Sequence, residues 1–281
     1  MILAGIKKEF KLFTRGFKMW GILILIVGIA AAYPLLYKSM EAMTDQLAQM
    51  SSQMGAEMDS TVGSMNAMMD ELAMLYGGSM AGVGFYTALS SFTSEGFLVI
   101  ALLLMATAGG EQKKRSVIIP NCAGLTPAGY VMPKFIIYPL LMALLTFGGT
   151  LLTAVISDAL FEGSVAMENV LFSGVCVSLY MLFMISIYFL FGLCTGRPGI
   201  GVVVMYLGAS LIPILLSAFN IDSYNPFALR DMLMTQYADA DMNNFILSIV
   251  VTVTLSVICC VLSLLVATLR KIDNSAGEAN L

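Results

Sequence analysis

Residues 170–194 read VLFSGVCVSLYMLFMISIYFLFGLC, a run of 25 residues without one charged side chain. A helix needs about 20 predominantly apolar residues to cross the hydrocarbon core of a bilayer, because each residue advances it by about 1.5 Å. The run therefore predicts a transmembrane helix. The rest of the chain fits that prediction, since 59% of its 281 residues are hydrophobic and only 11% are charged, well outside the composition of ordinary soluble domains.

Five further runs meet the same criterion. The predicted spans are residues 19–36, 88–108, 135–157, 170–194, 199–219 and 245–269. The second contains Glu95, which we place about two turns from the outer end of that span, where a carboxylate can reach the headgroups. The sequence predicts an all-α membrane protein: a single transmembrane domain over residues 1–281, with six spans.

The basic residues indicate the orientation of these spans. If the N-terminus is cytoplasmic, 12 of the 14 lysines and arginines fall on the cytoplasmic side, and only Lys38 and Arg230 face out. Cytoplasmic loops carry the excess of positive charge in membrane proteins. We therefore expect both termini to be cytoplasmic.

Residues 1–18 carry basic and apolar side chains in alternation along a helical period. The apolar set is Ile2, Leu3, Ile6, Phe10, Phe13 and Phe17, and the basic set is Lys7, Lys8, Lys11, Arg15 and Lys18. This pattern predicts an amphipathic helix lying in the cytoplasmic membrane interface. A simple positive-inside anchor is the alternative, but it does not explain the aligned aromatic residues.

The first outer loop, residues 37–87, is long and rich in methionine. Apolar residues recur at three- and four-residue steps, which predicts either one long amphipathic helix or a helical hairpin. Gly55 or Gly63 are the candidate breaks, and Gly77-Gly78 is the expected end. Thioethers are soft ligands for Cu(I), but the chain has no histidine. We favour packing against a partner chain, or a soft contact surface for an amphiphile.

The last outer loop, residues 220–244, contains Asn225-Pro226, which predicts the start of a short helix. That helix would carry Phe227, Leu229, Met232, Leu233 and Tyr237, and we expect it to lie on or dip into the outer leaflet. The connections at residues 158–169 and 195–198 are short. They predict that the spans they join pack as antiparallel neighbours.

The usual catalytic groups are missing from the sequence. Without histidine there is no zinc-protease or Ser-His site, and no GxxxxGK[ST] motif is present to bind ATP. The cysteines, which we expect to be free thiols, are Cys122, Cys176, Cys194, Cys259 and Cys260. We expect no enzyme, cofactor or metal site in this chain, so energy for any work must come from another chain.

Residues 109–130, GGEQKKRSVIIPNCAGLTPAGY, interrupt the apolar sequence on the predicted cytoplasmic side. Basic residues are followed by the apolar Val117–Ile119 patch, by Pro120, and by a turn at Thr126-Pro127. Lys134 then marks the return to the bilayer. A short, partly apolar cytoplasmic element on a membrane protein without its own energy source is typical of a docking segment. We therefore predict a coupling helix within residues 109–134.

This stretch resembles the loop between spans two and three of ABC-2 type transporter permeases. The matching positions are Glu111, Lys113 to Arg115, Leu125, Thr126-Pro127 and Lys134. The family often has Gly-Thr directly after the basic residues, where this chain has Ser116-Val117. In outline the resemblance covers the whole chain: a basic N-terminal helix, six spans, a coupling loop, and an Asn-Pro helix before the last span.

The resemblance implies the permease subunit of an ATP-binding cassette exporter in the plasma membrane, the bacterial inner membrane. It further implies a dimer with a second copy or a paralogue, a separate ATPase subunit that binds ATP and magnesium, and a hydrophobic or amphiphilic substrate such as a peptide, drug or lipid. The residues it assigns to the ATPase contact are Glu111, Lys113, Lys114, Arg115, Thr126 and Pro127, together with Lys8 and Arg15. For Lys113 to Arg115, topology signalling alone is an equal alternative.

Two other functions stay open. One is a non-transport membrane scaffold or immunity protein that binds a peptide through the methionine-rich outer helix. The other is a secondary carrier driven by an ion gradient, which the scarcity of charged residues at mid-depth disfavours.

Overall fold

A computed structural model describes residues 2–54, 56–76, 78–110, 126–161, 165–219 and 225–278. Within these ranges the regular structure is helical and contains no strand. Six helices are long and apolar enough to cross a membrane. They are Phe17–Met50, Met80–Leu103, Pro127–Leu160, Met167–Thr195, Pro198–Ala218 and Met242–Leu269. The prediction of an all-helical chain with six candidate spans is confirmed.

The helices are numbered here in chain order. They are α1 (Ile2–Arg15), α2 (Phe17–Met54), α3 (Ala56–Leu75), α4 (Met80–Ser91), α5 (Phe97–Leu103), α6 (Pro127–Leu160), α7 (Met167–Thr195), α8 (Pro198–Ala218), α9 (Ala228–Met232) and α10 (Met242–Glu278). A first π-helical turn, Phe92–Gly96, joins α4 to α5, and a second, Ala106–Gly110, follows α5.

Helix α7 contains the uncharged run of residues 170–194. It lies at the centre of the bundle and packs against α6, α8, α9 and α10. Small residues allow this close packing: Gly174 lies against Phe147 of α6, and Gly201 of α8 lies against Tyr188. Tyr180 and Tyr188 are fully buried. The outward faces of α8 and α10 are covered with exposed Val, Leu and Ile side chains, as expected where a helix faces lipid.

Three buried threonine hydroxyl groups on α6 are satisfied within the helix itself. Thr146, Thr150 and Thr153 each donate to the carbonyl oxygen four residues earlier, at 2.9, 3.1 and 2.8 Å. An unsatisfied polar group is costly inside a bilayer, where no water is available to bind it. These bonds let the polar side chains occupy the helix interface.

Helix α2 provides a scale for depth in the membrane. Lys18 and Lys38 lie 20 residues apart on it, about 30 Å of helix and close to the thickness of the hydrocarbon core. At the Lys18 end, Lys134 of α6 bonds to Thr107, and the backbone next to Arg197 lies against Gly109. These basic residues therefore share one end of the bundle, while the α2–α3 hairpin extends from the other.

The first π-helical turn lies near the middle of this scale. A Cβ atom placed on Gly96 would lie 3.5 Å from Ile29, and one on Gly149 would meet both Ile26 and Phe92. Ile26 and Ile29 are about halfway between Lys18 and Lys38. The prediction that Glu95 lies near the outer end of its span is therefore wrong, because the helix begins at Met80, eight residues before the predicted start.

Within residues 37–87 the structure shows the predicted helical hairpin. Helix α2 runs without interruption to Met54, and α3 packs back against it. Buried Thr44 of α2 lies 3.6 Å from the sulfur of Met69 on α3. Of the two candidate breaks, Gly63 lies inside α3, so the helices separate between Met54 and Ala56.

Helix α6 begins earlier than predicted. Thr126 caps it, accepting a hydrogen bond from the backbone N–H of Gly129 at 3.1 Å, and Pro127 occupies the first turn. Proline is favoured there because its missing N–H has no partner to lose. The predicted separate turn at Thr126-Pro127 is therefore the start of a continuous 34-residue helix.

The short helix predicted after Asn225-Pro226 is present, and it packs against α7. The Asn225 side chain accepts hydrogen bonds from the N–H groups of Phe227 at 2.8 Å and Ala228 at 3.0 Å, which starts the chain into α9. Leu229 is fully buried. The Leu233 carbonyl accepts a bond from Ser173 of α7. Because these residues pack onto α7, the segment is part of the helical bundle, and its location at the outer leaflet stays a prediction.

Candidate functional site

Charged side chains are buried where α1, the second π-helical turn and α6 meet. We call this group, formed by Glu9, Thr107, Tyr130, Lys134 and Tyr138, the junction cluster. Lys134 has 0% of its surface exposed and Glu9 has 4%. Lysine and glutamate are almost never so deeply buried unless they are paired, so the cluster stands out from the rest of the structure.

Each charged atom in the cluster has partners. The Lys134 ammonium donates to the Thr107 carbonyl oxygen at 2.9 Å and lies 4.6 Å from the centre of the Tyr130 ring. Its distance to Glu9 Oε1 is 3.9 Å. The Tyr138 hydroxyl donates to Glu9 Oε2 at 3.0 Å. These contacts join three separate segments of the chain.

The helical period places these side chains together. On α1, Glu9 and Phe13 lie one turn apart and are the buried residues of that helix. On α6, residues 130, 134 and 138 recur every four positions and so share a face. Phe13 packs edge-on against the Tyr138 ring, with centroids 5.9 Å apart. Helix α1 is thus held against α6 by an aromatic contact beside the hydrogen bond.

The backbone of the second π-helical turn explains why the Thr107 carbonyl is free to bind Lys134. Ala108 has φ −86° and ψ 57°, and Gly109 has φ +99°, so the helical backbone kinks here. A kink of this kind interrupts the ladder of backbone hydrogen bonds along the helix. A Cβ atom at Gly109 would also overlap the carbonyl oxygen of Gly192 on α7. Only glycine fits this close contact between the end of the second span and the central helix.

The energetics of the cluster favour a structural link. The Lys134–Glu9 separation of 3.9 Å is at the long limit for an ion pair. The free energy needed to remove two charges from water offsets much of the free energy of their attraction. Removing one partner, however, leaves an uncompensated buried charge. The cluster therefore makes α1, α6 and the end of the second span depend on one another.

The opposite side of α1 carries an open basic surface. Lys7, Lys8, Lys11 and Arg15 line a cleft of about 600 Å³ together with Ala4, Leu12 and Gly16. Four cations at three- and four-residue steps on one helix face create a positive potential that attracts anionic groups. We call this surface the basic cleft.

The predicted site residues fall into three groups. Lys8 and Arg15 are exposed and share the basic cleft. Exposed Thr126 and partly exposed Pro127 form the start of α6, one helical turn before the junction cluster residue Tyr130. The predicted contacts Glu111, Lys113, Lys114 and Arg115 lie outside the described residues.

Sequence reasoning missed the role of Glu9 and misread that of Lys134. Glu9 is the one acidic residue within the basic segment 1–18, and this exception was the available signal. Lys134 was predicted to mark the return to the bilayer. Its ammonium instead lies inside the protein, bound to the chain.

No protein-family model matches the chain, and it matches neither a curated protein nor a solved structure. The function therefore has to be inferred from its residues and their geometry.

Proposed function

We propose that this chain is the permease subunit of an ATP-binding cassette exporter that moves a hydrophobic or amphiphilic substrate across the plasma membrane. It is not itself an enzyme; a separate ATP-binding subunit carries ATP and magnesium, and a second copy or a paralogue completes the permease. Both termini are cytoplasmic. The observation that carries the proposal is the junction cluster.

The junction cluster lies where a transporter driven from outside the membrane needs a rigid connection. Thr107 and Lys134 belong to the two helices that flank residues 111–125, the core of the predicted coupling loop, and Glu9 belongs to α1. Energetic coupling between distant sites is carried by packed side chains and hydrogen-bond networks. A displacement of the loop by the ATPase would thus move the second and third spans together with α1.

The exposed surface of α1 supports a location at the membrane face. Leu3 is 82% exposed, and Phe10 and Phe17 are also exposed, although such side chains usually avoid water. A helix with exposed aromatic residues on one side and lysines on another suits the boundary between lipid and cytoplasm. The basic cleft of α1 then remains available to acidic side chains on the ATPase.

The first test is purification of the tagged full-length chain in a mild detergent, followed by mass spectrometry of its partners and an ATPase assay. We expect a stoichiometric soluble ATP-binding subunit. Reversing the charge of the basic cleft with Lys8→Glu and Arg15→Glu should reduce the amount of this subunit recovered. The matched control is Lys38→Glu, which lies on the hairpin side of α2, away from the basic cleft, and should leave recovery unchanged.

An active chain that is recovered without any ATPase would contradict the proposal. Equal loss of the subunit in the cleft variant and in the Lys38→Glu control would show that the effect is not local to the predicted docking end. Substitution of Glu111 by Gln tests the coupling loop itself, and ATPase activity should fall while the subunit stays bound.

A non-transport scaffold or immunity protein that binds a peptide is the second candidate. The observation that favours it is the α2–α3 hairpin, on which Met43, Met50, Met68 and Met74 are exposed. Flexible methionines suit surfaces that adapt to apolar partners. Deleting residues 43–72 should abolish the biological activity of a scaffold; in an exporter the truncated chain should still bind its ATPase.

A further inference from the structure

Glu95 is an exposed carboxylate near the middle of the membrane-spanning bundle. It lies in the first π-helical turn, which is level with Ile26 and Ile29 of α2. From Met80, where α4 begins, it is 15 residues along the helical segment, about 22 Å. Eight residues separate it from Leu103, where the span ends, about 12 Å of helix, which is longer than a glutamate side chain. An ionisable residue in such a position is a functional-site candidate.

The side chain is directed away from the protein core. Glu95 is exposed, whereas Thr93 and Gly96 beside it are buried. The Ser94 hydroxyl lies within hydrogen-bonding distance of the Glu95 carboxylate and of the Ser90 carbonyl oxygen. The π-helical turn contributes to this arrangement because its extra residue changes which side chains face outward, and such turns occur frequently at functional sites.

Apolar side chains surround the carboxylate on its own face. Leu98 and Leu102 follow Glu95 by three and seven residues, so they lie on the same side of the segment; Leu98 is partly exposed and Leu102 is 45% exposed. The surface presented is a negative charge with a hydrophobic extension. This combination is complementary to a molecule with a cationic group attached to an apolar body.

This chain does not supply a cation at that depth. Within the described residues, the ion pairs are Lys38–Glu41 and Lys134–Glu9, and Glu95 takes part in neither. The six spans contain the lysines Lys18, Lys38 and Lys134 and no arginine. Lys18 and Lys38 lie on either side of the level of Ile26 and Ile29 on α2, and the Lys134 ammonium bonds to Thr107, twelve residues beyond Glu95. A second copy of the same chain would have the same distribution. Its mid-depth residues could not neutralise Glu95.

We propose that Glu95 binds the cationic group of an amphiphilic substrate, with Leu98 and Leu102 contacting the apolar part. The inference rests on the proposed export function and narrows its substrate class to hydrophobic cations, such as amines or quaternary onium compounds. A carboxylate in a low-dielectric surrounding attracts a cation more strongly than in water. A cation with a delocalised charge and an apolar shell reaches this depth at a lower desolvation cost than a small hydrated ion.

The test uses the full-length chain in nanodiscs of zwitterionic phosphatidylcholine. The probe is tetraphenylphosphonium, a hydrophobic cation, and its binding is measured by equilibrium dialysis with empty nanodiscs as the blank. Tetraphenylborate, of nearly the same size and shape but negative, separates charge recognition from hydrophobic partitioning. The variants are Glu95→Gln, Glu95→Asp and the control Glu41→Gln, which removes an acid that is paired with Lys38 at the hairpin end of α2.

We expect saturable tetraphenylphosphonium binding to the wild-type chain and to Glu41→Gln. Glu95→Gln should weaken it about tenfold or more, the effect of losing one charged partner, while Glu95→Asp should retain most of the affinity. Any binding of tetraphenylborate, for example at the basic cleft, should be the same in wild type and Glu95→Gln. Equal affinity for the cation in wild type and Glu95→Gln, anion binding that depends on Glu95, or no saturable binding of the cation to wild type would overturn the proposal.

The result is independent of the search for an ATPase. If no ATP-binding subunit is found but Glu95 binds the cation, the exporter proposal fails and the cation site stands. If the subunit is found and Glu95→Gln binds the probe as wild type does, the exporter proposal is supported and the proposed cation site is contradicted.

Discussion

Glu9 and Glu95 are two carboxylates in the same apolar bundle with opposite surroundings. Glu9 is buried inside the protein, where Tyr138 donates to it and Lys134 lies 3.9 Å away. Glu95 is exposed at mid-depth, and its described polar contact is with the neighbouring Ser94. A charge satisfied within the chain holds segments together, whereas a carboxylate left on the outer surface is open to a partner from elsewhere.

The difference follows from the elements that surround each residue. Glu9 meets α6 at a position where a lysine and a tyrosine occur one turn apart, so its partners are fixed in place. The face that bears Glu95 continues into leucines. The junction cluster therefore has the properties of a rigid connection between helices, which we call the joint. The surface around Glu95 has the properties of a recognition surface.

The strongest challenge to this comparison is to remove the cation from the junction cluster. Lys134→Met keeps a long apolar stem but leaves the Glu9 carboxylate buried without its cation. We expect the free energy of unfolding to fall by about 3 kcal/mol, the lower part of the range for breaking a buried pair because the separation is long. Thermal unfolding of the purified chain in detergent, followed by size-exclusion chromatography, measures the loss.

A second variant tests whether this loss comes from the pair. Adding Glu9→Gln to Lys134→Met removes the charge that was left alone, so the double variant should recover part of the lost stability. The stability losses of Glu9→Gln and of Lys134→Met are also measured separately. If they add up to the loss of the double variant, Glu9 and Lys134 do not interact.

The backbone at the joint gives the next prediction. Alanine at Gly109 would have to adopt φ +99° and would overlap the Gly192 carbonyl oxygen. We expect Gly109→Ala to cost about 2 kcal/mol and to lower ATPase coupling if the chain is a permease. Gly148→Ala is the control, because no atom lies within 4 Å of its added Cβ. Equal stability of the two variants would show that the close contact with α7 does not constrain the joint.

The number of spans was predictable because it depends on composition over about 20 residues, which the sequence states directly. The Thr195 to Pro198 turn was predictable for a local reason: Gly196 adopts φ +66° and Pro198 starts the next helix. The π-helical turns were not predictable, since they change the helical register without an obvious change of residue type. The depth of Glu95 was misjudged for a different reason, because its helix begins at Met80 and not at residue 88.

The site was less predictable than the fold. The basic face of α1 followed from periodicity, and Lys8 and Arg15 do share it. The burial of Glu9 and Lys134 depends on how α1 packs against α6, a contact between residues more than 120 positions apart. Nothing in the local sequence of either helix specifies that contact. The burial of Glu9 and Lys134 is set by tertiary packing.

The cap of α6 offers a smaller and more local test of the joint. Thr126→Ala removes the hydrogen bond to the Gly129 N–H and should cost about 1 kcal/mol. Thr126→Ser keeps the hydroxyl and should behave as wild type in thermal unfolding. In a permease, Thr126→Ala should also lower ATPase coupling, since the cap lies between the coupling loop and the junction cluster. A Ser variant as impaired as the Ala variant would exclude the hydrogen bond as the cause.

The smallest effect on stability is expected for Glu95→Gln. This variant tests the contrast between Glu9 and Glu95 directly. Glu9→Gln weakens a bond that a buried charge makes inside the protein, so the unfolding temperature should fall. Glu95→Gln is the same chemical change, but it removes a charge that has no cationic partner among the described residues and that lies at hydrocarbon depth, so the unfolding temperature should stay the same or rise. Parallel thermal unfolding of the two variants makes the measurement. A fall at Glu95 as large as that at Glu9 would mean that Glu95 already has a stabilising partner, and the two carboxylates would then play the same structural role.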